Sequence, residues 1–149
     1  MISIHPNPAR PLDLDLRHIL AAVGDRLETW VWCIRDLDWL GEDGEALCRA
    51  VEAAGLEGLW LDSEELLQRA QGIYQTIEGS FLAFSQSLER RTIDAADLDL
   101  ASFPLSKAEF AIIAVDGCSF DVYSKDAVVT HNLLDRFPNT QSEPTDRYF

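Results

Sequence analysis

Any chemistry in this sequence has to come from its carboxylates, three thiols and three imidazoles, and their spacing decides what each can do. The triplet Asp-Leu-Asp occurs at residues 13–15, 36–38 and 97–99. On an extended segment, carboxylates two residues apart face the same way and could hold a divalent cation. No glycine-rich phosphate loop accompanies them, and in a chain with 26 Asp+Glu and abundant leucine the triplets read better as helix caps and solvated loops. No metal is therefore assigned to Asp36 and Asp38. Of His5, His18 and His131, only His131 has a carboxylate one helical turn on, Asp135, and that pair is a helix-face interaction. Cys33, Cys48 and Cys118 are an odd number at irregular spacing, which suggests neither a disulfide framework nor a zinc knuckle; reduced, buried thiols fit better. HExxH, GxSxG, CxxC and Walker A patterns are all missing. No catalytic residue and no cofactor is assigned, and the chain is read as a non-enzyme.

The densest group of reactive side chains is Ala114 to Tyr123, AVDGCSFDVY. Asp116-Gly117 between two apolar runs is a two-residue hairpin signal. That turn would pair Val115 with Cys118, Ala114 with Ser119 and Ile113 with Phe120, placing Cys118 on a wholly apolar face. A thiol held there is protonated and inert. Ser119, Asp121 and Tyr123 would lie on the other face, free to meet a partner.

The elements that must position these groups follow from periodicity. Leu16, Ile19, Leu20 and Val23 recur at helical spacing, with Asp13 or Asp15 as N-cap, giving a helix from about Leu14 to Val23. Thr29 to Ile34 is aromatic and β-branched on both faces, the pattern of a central strand. After the turn at 41–44, Ala46 to Ala54 keeps a helical period and stops at Gly55. Asp62 and Glu65 form a capping pair, so a further helix begins at Ser63. The apolar period then runs on to Leu88. The glycines and threonine at 72, 76 and 79 favour helix followed by a strand bulged at Gly79 over one helix of roughly 26 residues. Residues 85–107 are polar, with a short helix about Asp94 to Leu98; loops of this length are mobile or functional. The hairpin follows, then a helix capped by Ser124. Trp30, Trp32, Trp39 and Trp60 are assigned to core packing, although an exposed Trp39 or Trp60 would be an interface anchor. Together these predict one α+β domain over 1–149, with a mixed or antiparallel sheet of about four strands and helices packed on it. Residues 1–11 and 140–149 are read as loosely ordered ends.

Charge narrows the partners. Twelve Lys+Arg against 26 Asp+Glu give a formal −14 at pH 7. Such a surface repels phosphate backbones and anionic lipid and attracts basic protein, so neither nucleic acid nor membrane is expected. With no apolar run near 18 residues and no basic-then-apolar leader, a cytoplasmic location is expected.

An acidic leader helix, a Trp-rich strand, a helix pair, then YQTIEGSFLAF and AIIAVDGCSFDVYSKD followed by a helix resemble the small bacterial immunity-type proteins encoded beside polymorphic toxins. The resemblance implies a non-enzymatic, acidic partner of a secreted toxin. Both marks are structural, so it carries over no functional residue. A type III secretion-like chaperone, binding an effector segment as a homodimer, and a small enzyme using Cys or His stay open as alternatives. The contacts expected with a basic partner are Asp36, Asp38, Glu42 and Asp43 in one loop, and Asp94, Asp97 and Asp99 in another, where charge concentrates outside regular elements.

Overall fold

The computed structural model describes residues 1–7, 9, 14–117, 119–138 and 140–142. Its strands are β1 (Ile2–Ile4), β2 (Trp30–Gly41), β3 (Leu59–Asp62), β4 (Ile73–Ser85), β5 (Phe110–Val115), β6 (Ser119–Ser124) and β7 (Thr140–Ser142). Its helices are α1 (Leu16–Val23), α2 (Gly44–Ala54), α3 (Ser63–Gln71) and α4 (Ala127–Arg136). The strands form one sheet in the order β3-β2-β4-β5-β6-β1-β7, with every neighbouring pair antiparallel. The fold is α+β, as expected, and its four long strands are the four foreseen.

Three short strands were not foreseen. β1 and β7 lie in segments read as loose ends, but β1 pairs with both β6 and β7 inside the sheet, burying Ile2 and Ile4. β3 extends the sheet beyond β2. Three or four residues are too few for an alternation signal to register, so only the neighbours' edges specify them. Of the predicted loose ends, residues 8, 10, 11 and 143–149 lie outside the described residues, as do 12, 13, 139 and Cys118.

Local signals account for the helix ends. The carboxylate of Asp15 caps α1, while the Asp15 N–H donates to His18 Nδ1 at 2.8 Å. Asp62 Oδ1 accepts the Glu65 N–H at 2.7 Å to start α3, as its capping pair predicts. α4 is capped by Asp126, which accepts from Val128 and Val129, and not by Ser124. Ser124 instead ends β6 and receives the Asp126 N–H on its hydroxyl.

Strand alternation gives the sheet two different faces. Trp30, Trp32, Ile34, Phe81, Phe110, Ile112, Phe120 and Val122 point to one, where they pack with Leu16, Ile19 and Leu20 of α1, Leu66 of α3 and Leu133 of α4. Trp30 stacks on Phe110 at 5.1 Å, and Trp32 meets both edge-on. Cys33, Leu82, Phe84, Ala111 and Tyr123 point to the other face, where residues 86–109 lie across them and bury Phe103 and Ala108.

That long segment is therefore a cover. The expected helix at Asp94 to Leu98 is a turn in which Asp94 and Asp97 exchange backbone-to-carboxylate bonds at 3.1 Å. Two short 3-10 turns, Arg90–Thr92 and Leu100–Leu105, flank it.

The hairpin pairs one residue away from expectation. Val115 faces Ser119 and Ala114 faces Phe120, which leaves three residues in the loop. Asp116 and Gly117 are both left-handed, at φ 51° and 72°, but the loop is built onto β4. Gly117 N–H donates to Ile77 O at 2.9 Å, and Gln75 Nε2 donates to Gly117 O at 3.0 Å. This register gathers Phe110, Ile112, Phe120 and Val122 on one face, where the expected one would have left Phe110 and Ile112 on the face opposite to Phe120 and Val122. A one-residue slip exchanges the faces, so the larger apolar set decides. Tyr123 then packs on Phe103 at 5.5 Å and is only 5% exposed, so it is not free to meet a partner.

Candidate functional site

β2 runs seven residues past its predicted end, to Gly41, and so contains Asp36 and Asp38, which are not in a loop. Its pairing with β4 jumps from Arg35–Ser80 to Asp38–Glu78, so Asp36 and Leu37 together oppose Gly79. This is a bulge in β2, and Asp36 sits in it at φ 52°, a conformation aspartate tolerates better than most side chains. Gly79 is the reason the bulge closes. A Cβ there would come within 2.8 Å of the Phe81 ring and 3.2 Å of Leu37.

The bulge forms one wall of an open groove of about 570 Å³, and α2 forms the other. Leu37, Cys48 and Val51 contribute apolar lining, and Leu56 is 82% exposed at one end. Five carboxylates line it, those of Asp36, Asp38, Glu45, Glu52 and Glu78, together with two guanidiniums. Both guanidiniums are engaged. Arg49 pairs with Glu45 one turn back on α2, and Arg35 Nη1 donates to Leu98 O at 2.9 Å. Among the described residues, the other four carboxylates make no ion pair. Their charge stands unbalanced over an apolar lining, which favours a cationic side chain with an aliphatic stem.

The other predicted contacts lie elsewhere. Glu42 and Asp43 line a separate hollow of about 630 Å³ with Glu65, Arg69 and Tyr74. Asp94 is exposed beside Trp60 and Leu98. Asp99 is exposed and caps the 3-10 turn after it, accepting the Ala101 N–H at 3.1 Å.

Asp97 requires a correction. It is 6% exposed and accepts from Asp94 N–H, from Lys107 N–H at 2.9 Å and from Lys107 Nζ at 3.3 Å. Burial opposes its charge, but these bonds and the ammonium outweigh burial and hold its carboxyl below the usual range. It pins the covering segment and cannot reach a partner.

The nucleophile candidates are equally separated. Cys33 is fully buried on the loop-covered face, donates weakly to Glu57 O at 3.5 Å, and is pushed up to about 11 by burial. Cys48 is a half-buried free thiol lining the groove. His18 is tied to the α1 cap, and burial, aided by Arg17, lowers its pKa. His5 and His131 are exposed. Among the described residues, no three His, Cys, Asp or Glu side chains are grouped to hold a metal ion, and no helix is long and apolar enough to cross a membrane.

Sequence reasoning found Asp36 and Asp38 but missed Glu45, Glu52 and Glu78. Glu45 and Glu52 are two helical turns apart on α2, so a helical projection would have placed them on one face. Glu78 joins them only through the β2–β4 register, which no local pattern encodes. Compared with known families, characterised proteins and solved structures, the chain has no significant match.

Proposed function

We propose that this chain is a non-enzymatic, acidic protein-binding domain of the immunity type, which neutralises a basic toxin domain by occupying it. One observation carries the reading: the groove between the β2 bulge and α2, where four unpaired carboxylates surround an apolar lining. Such a surface attracts basic protein over a distance and rewards Lys or Arg side chains that bury their stems. The −14 charge of the whole chain acts in the same direction. Asp36 and Asp38 on the strand, with Glu52 and Glu78 opposite and beside them, are the contacts.

The experiment is co-expression with the C-terminal domain of a large secreted protein encoded immediately upstream. A one-to-one complex that abolishes that domain's toxicity supports the reading. A homodimer that holds an extended effector segment and leaves toxicity intact overturns it in favour of the chaperone.

A further inference from the structure

The outer edge of β3 is unpaired among the described residues, because β3 ends the strand order. Which of its backbone groups face outward follows from the ladders. Gln86 N–H donates to Thr29 O at 2.9 Å, which makes Thr29–Gln86 a hydrogen-bonded pair next to Trp30–Ser85. In an antiparallel pair bonded and non-bonded positions alternate, so Val31 and Cys33 bond toward β4, and Trp32 and Ile34 toward β3. Their β3 partners are Leu61 and Leu59. The N–H and C=O of Trp60 and the N–H of Asp62 are therefore the groups that point away from the sheet, the Asp62 C=O being taken up by α3, of which Asp62 is the N-cap.

Side-chain hollows flank this edge. Trp60 lies on the loop-covered face, tilted against Phe84 at 5.3 Å, with the Arg90 guanidinium 4.5 Å above its ring. On one side of that stack is a hollow of about 330 Å³ between Val31, Leu88, Ile93 and Asp62. On the other is one of about 380 Å³ between Leu56, Ile93, Leu98, Glu57 and Asp94. Leu56 also lines the acidic groove, so the two surfaces are continuous. Three carboxylates, Glu57, Asp62 and Asp94, stand against the single guanidinium of Arg90.

We propose that the β3 edge takes an extended, basic polypeptide segment of the partner as an added antiparallel or parallel strand, bonded through Trp60 and Asp62. Alternate side chains of that segment reach the two hollows beside Trp60, apolar groups against Val31 and Leu88 and cationic ones against Glu57 and Asp94. Charge selects this occupant over a second copy of the chain, since each copy carries −14. The basic character of the segment rests on the function proposed above; the strand geometry does not.

The probe is a synthetic nine-residue peptide alternating lysine and valine, added to the full chain while amide hydrogen exchange is followed residue by residue by NMR. The Trp60 and Asp62 amides slow markedly when it binds. Leu59 and Leu61, already bonded to β2, change little. N-methylation of alternate peptide residues, tested in both registers, weakens binding about tenfold or more in the register that faces the edge. A glutamate and valine peptide does not bind. Binding without slowing at Trp60 and Asp62, equal binding of both methylated peptides, or no binding of the lysine peptide each overturns strand addition. Repeating the titration on Asp36→Asn/Asp38→Asn separates the two readings: retained protection at Trp60 with unchanged toxin-domain association overturns the groove alone.

Discussion

The two faces of the sheet are buried in different ways. One is covered by helices whose own backbone bonds are internal, so its cost of order is shared over cooperative units. The other is covered by residues 86–109, whose two 3-10 turns supply few bonds. That cover is held instead by individual ties: Asp97 to Lys107, Arg35 to Leu98 O, Lys125 to Ser106 O, and Phe103 on Tyr123. Opening free energies vary across a fold, and a cover fastened at points opens before one built of helices. The difference teaches that a polar, unpatterned segment can close a core when a few side chains anchor it.

The strongest way to test that contrast is deletion of one large side chain from each face. Trp32→Ala, on the helix face, should cost about 3–5 kcal/mol of global stability. Phe103→Ala should cost less, on the order of 2 kcal/mol, because the covering segment can settle into the space. Chemical denaturation reads the first. Faster amide exchange confined to residues 94–108 reads the second, and equal global losses would remove the distinction.

Asp97→Ala comes next. It leaves the Asp94 and Lys107 N–H groups without their acceptor and the Lys107 ammonium with Thr92 O alone, a loss of about 2 kcal/mol. Because the folded carboxyl is held below its unfolded range, its contribution is present above the unfolded value and disappears as pH falls through the folded one. The variant should therefore lack the acid-dependent part of that loss.

How much of this was legible from the chain depends on the length of each signal. α1, α2 and α3 announced themselves through caps and period, and Trp30 to Ile34 through its residue types. β1, β3 and β7 span three or four residues each and are specified by neighbours distant in sequence. The hairpin shows the same limit at finer grain: Asp116-Gly117 marked the turn, but contacts from Gln75 and Ile77 on β4 set its register. For the site, the Asp36 and Asp38 pair was visible as a spacing. Its bulge was not, because it depends on Gly79 and Phe81 across the sheet.

Thiol chemistry sharpens the contrast between the buried face and the groove. Cys33 should resist alkylation in the folded chain while Cys48 reacts, as read by peptide mass spectrometry after unfolding and second labelling. The raised folded value of Cys33 also means that its contribution to stability is intact below its ordinary value of 9.0 and declines as pH rises toward about 11. Acidification should have the smallest effect at the helix-covered side. His18, lowered by burial and accepting the Asp15 N–H on Nδ1, favours the fold when neutral, so stability falls modestly as pH drops below about 6.5, and His18→Asn flattens that slope.

An association rate tests the groove most directly. Stopped-flow association of the chain with a basic toxin domain, the partner proposed above, would be compared with that of Asp36→Asn/Asp38→Asn/Glu52→Gln. Asparagine preserves the left-handed backbone at Asp36, so the variant removes charge with little strain. We expect association about tenfold slower at low salt, with the two proteins converging as ionic strength rises. Identical rates at every salt concentration, with the variant folded, would contradict the groove as the binding surface.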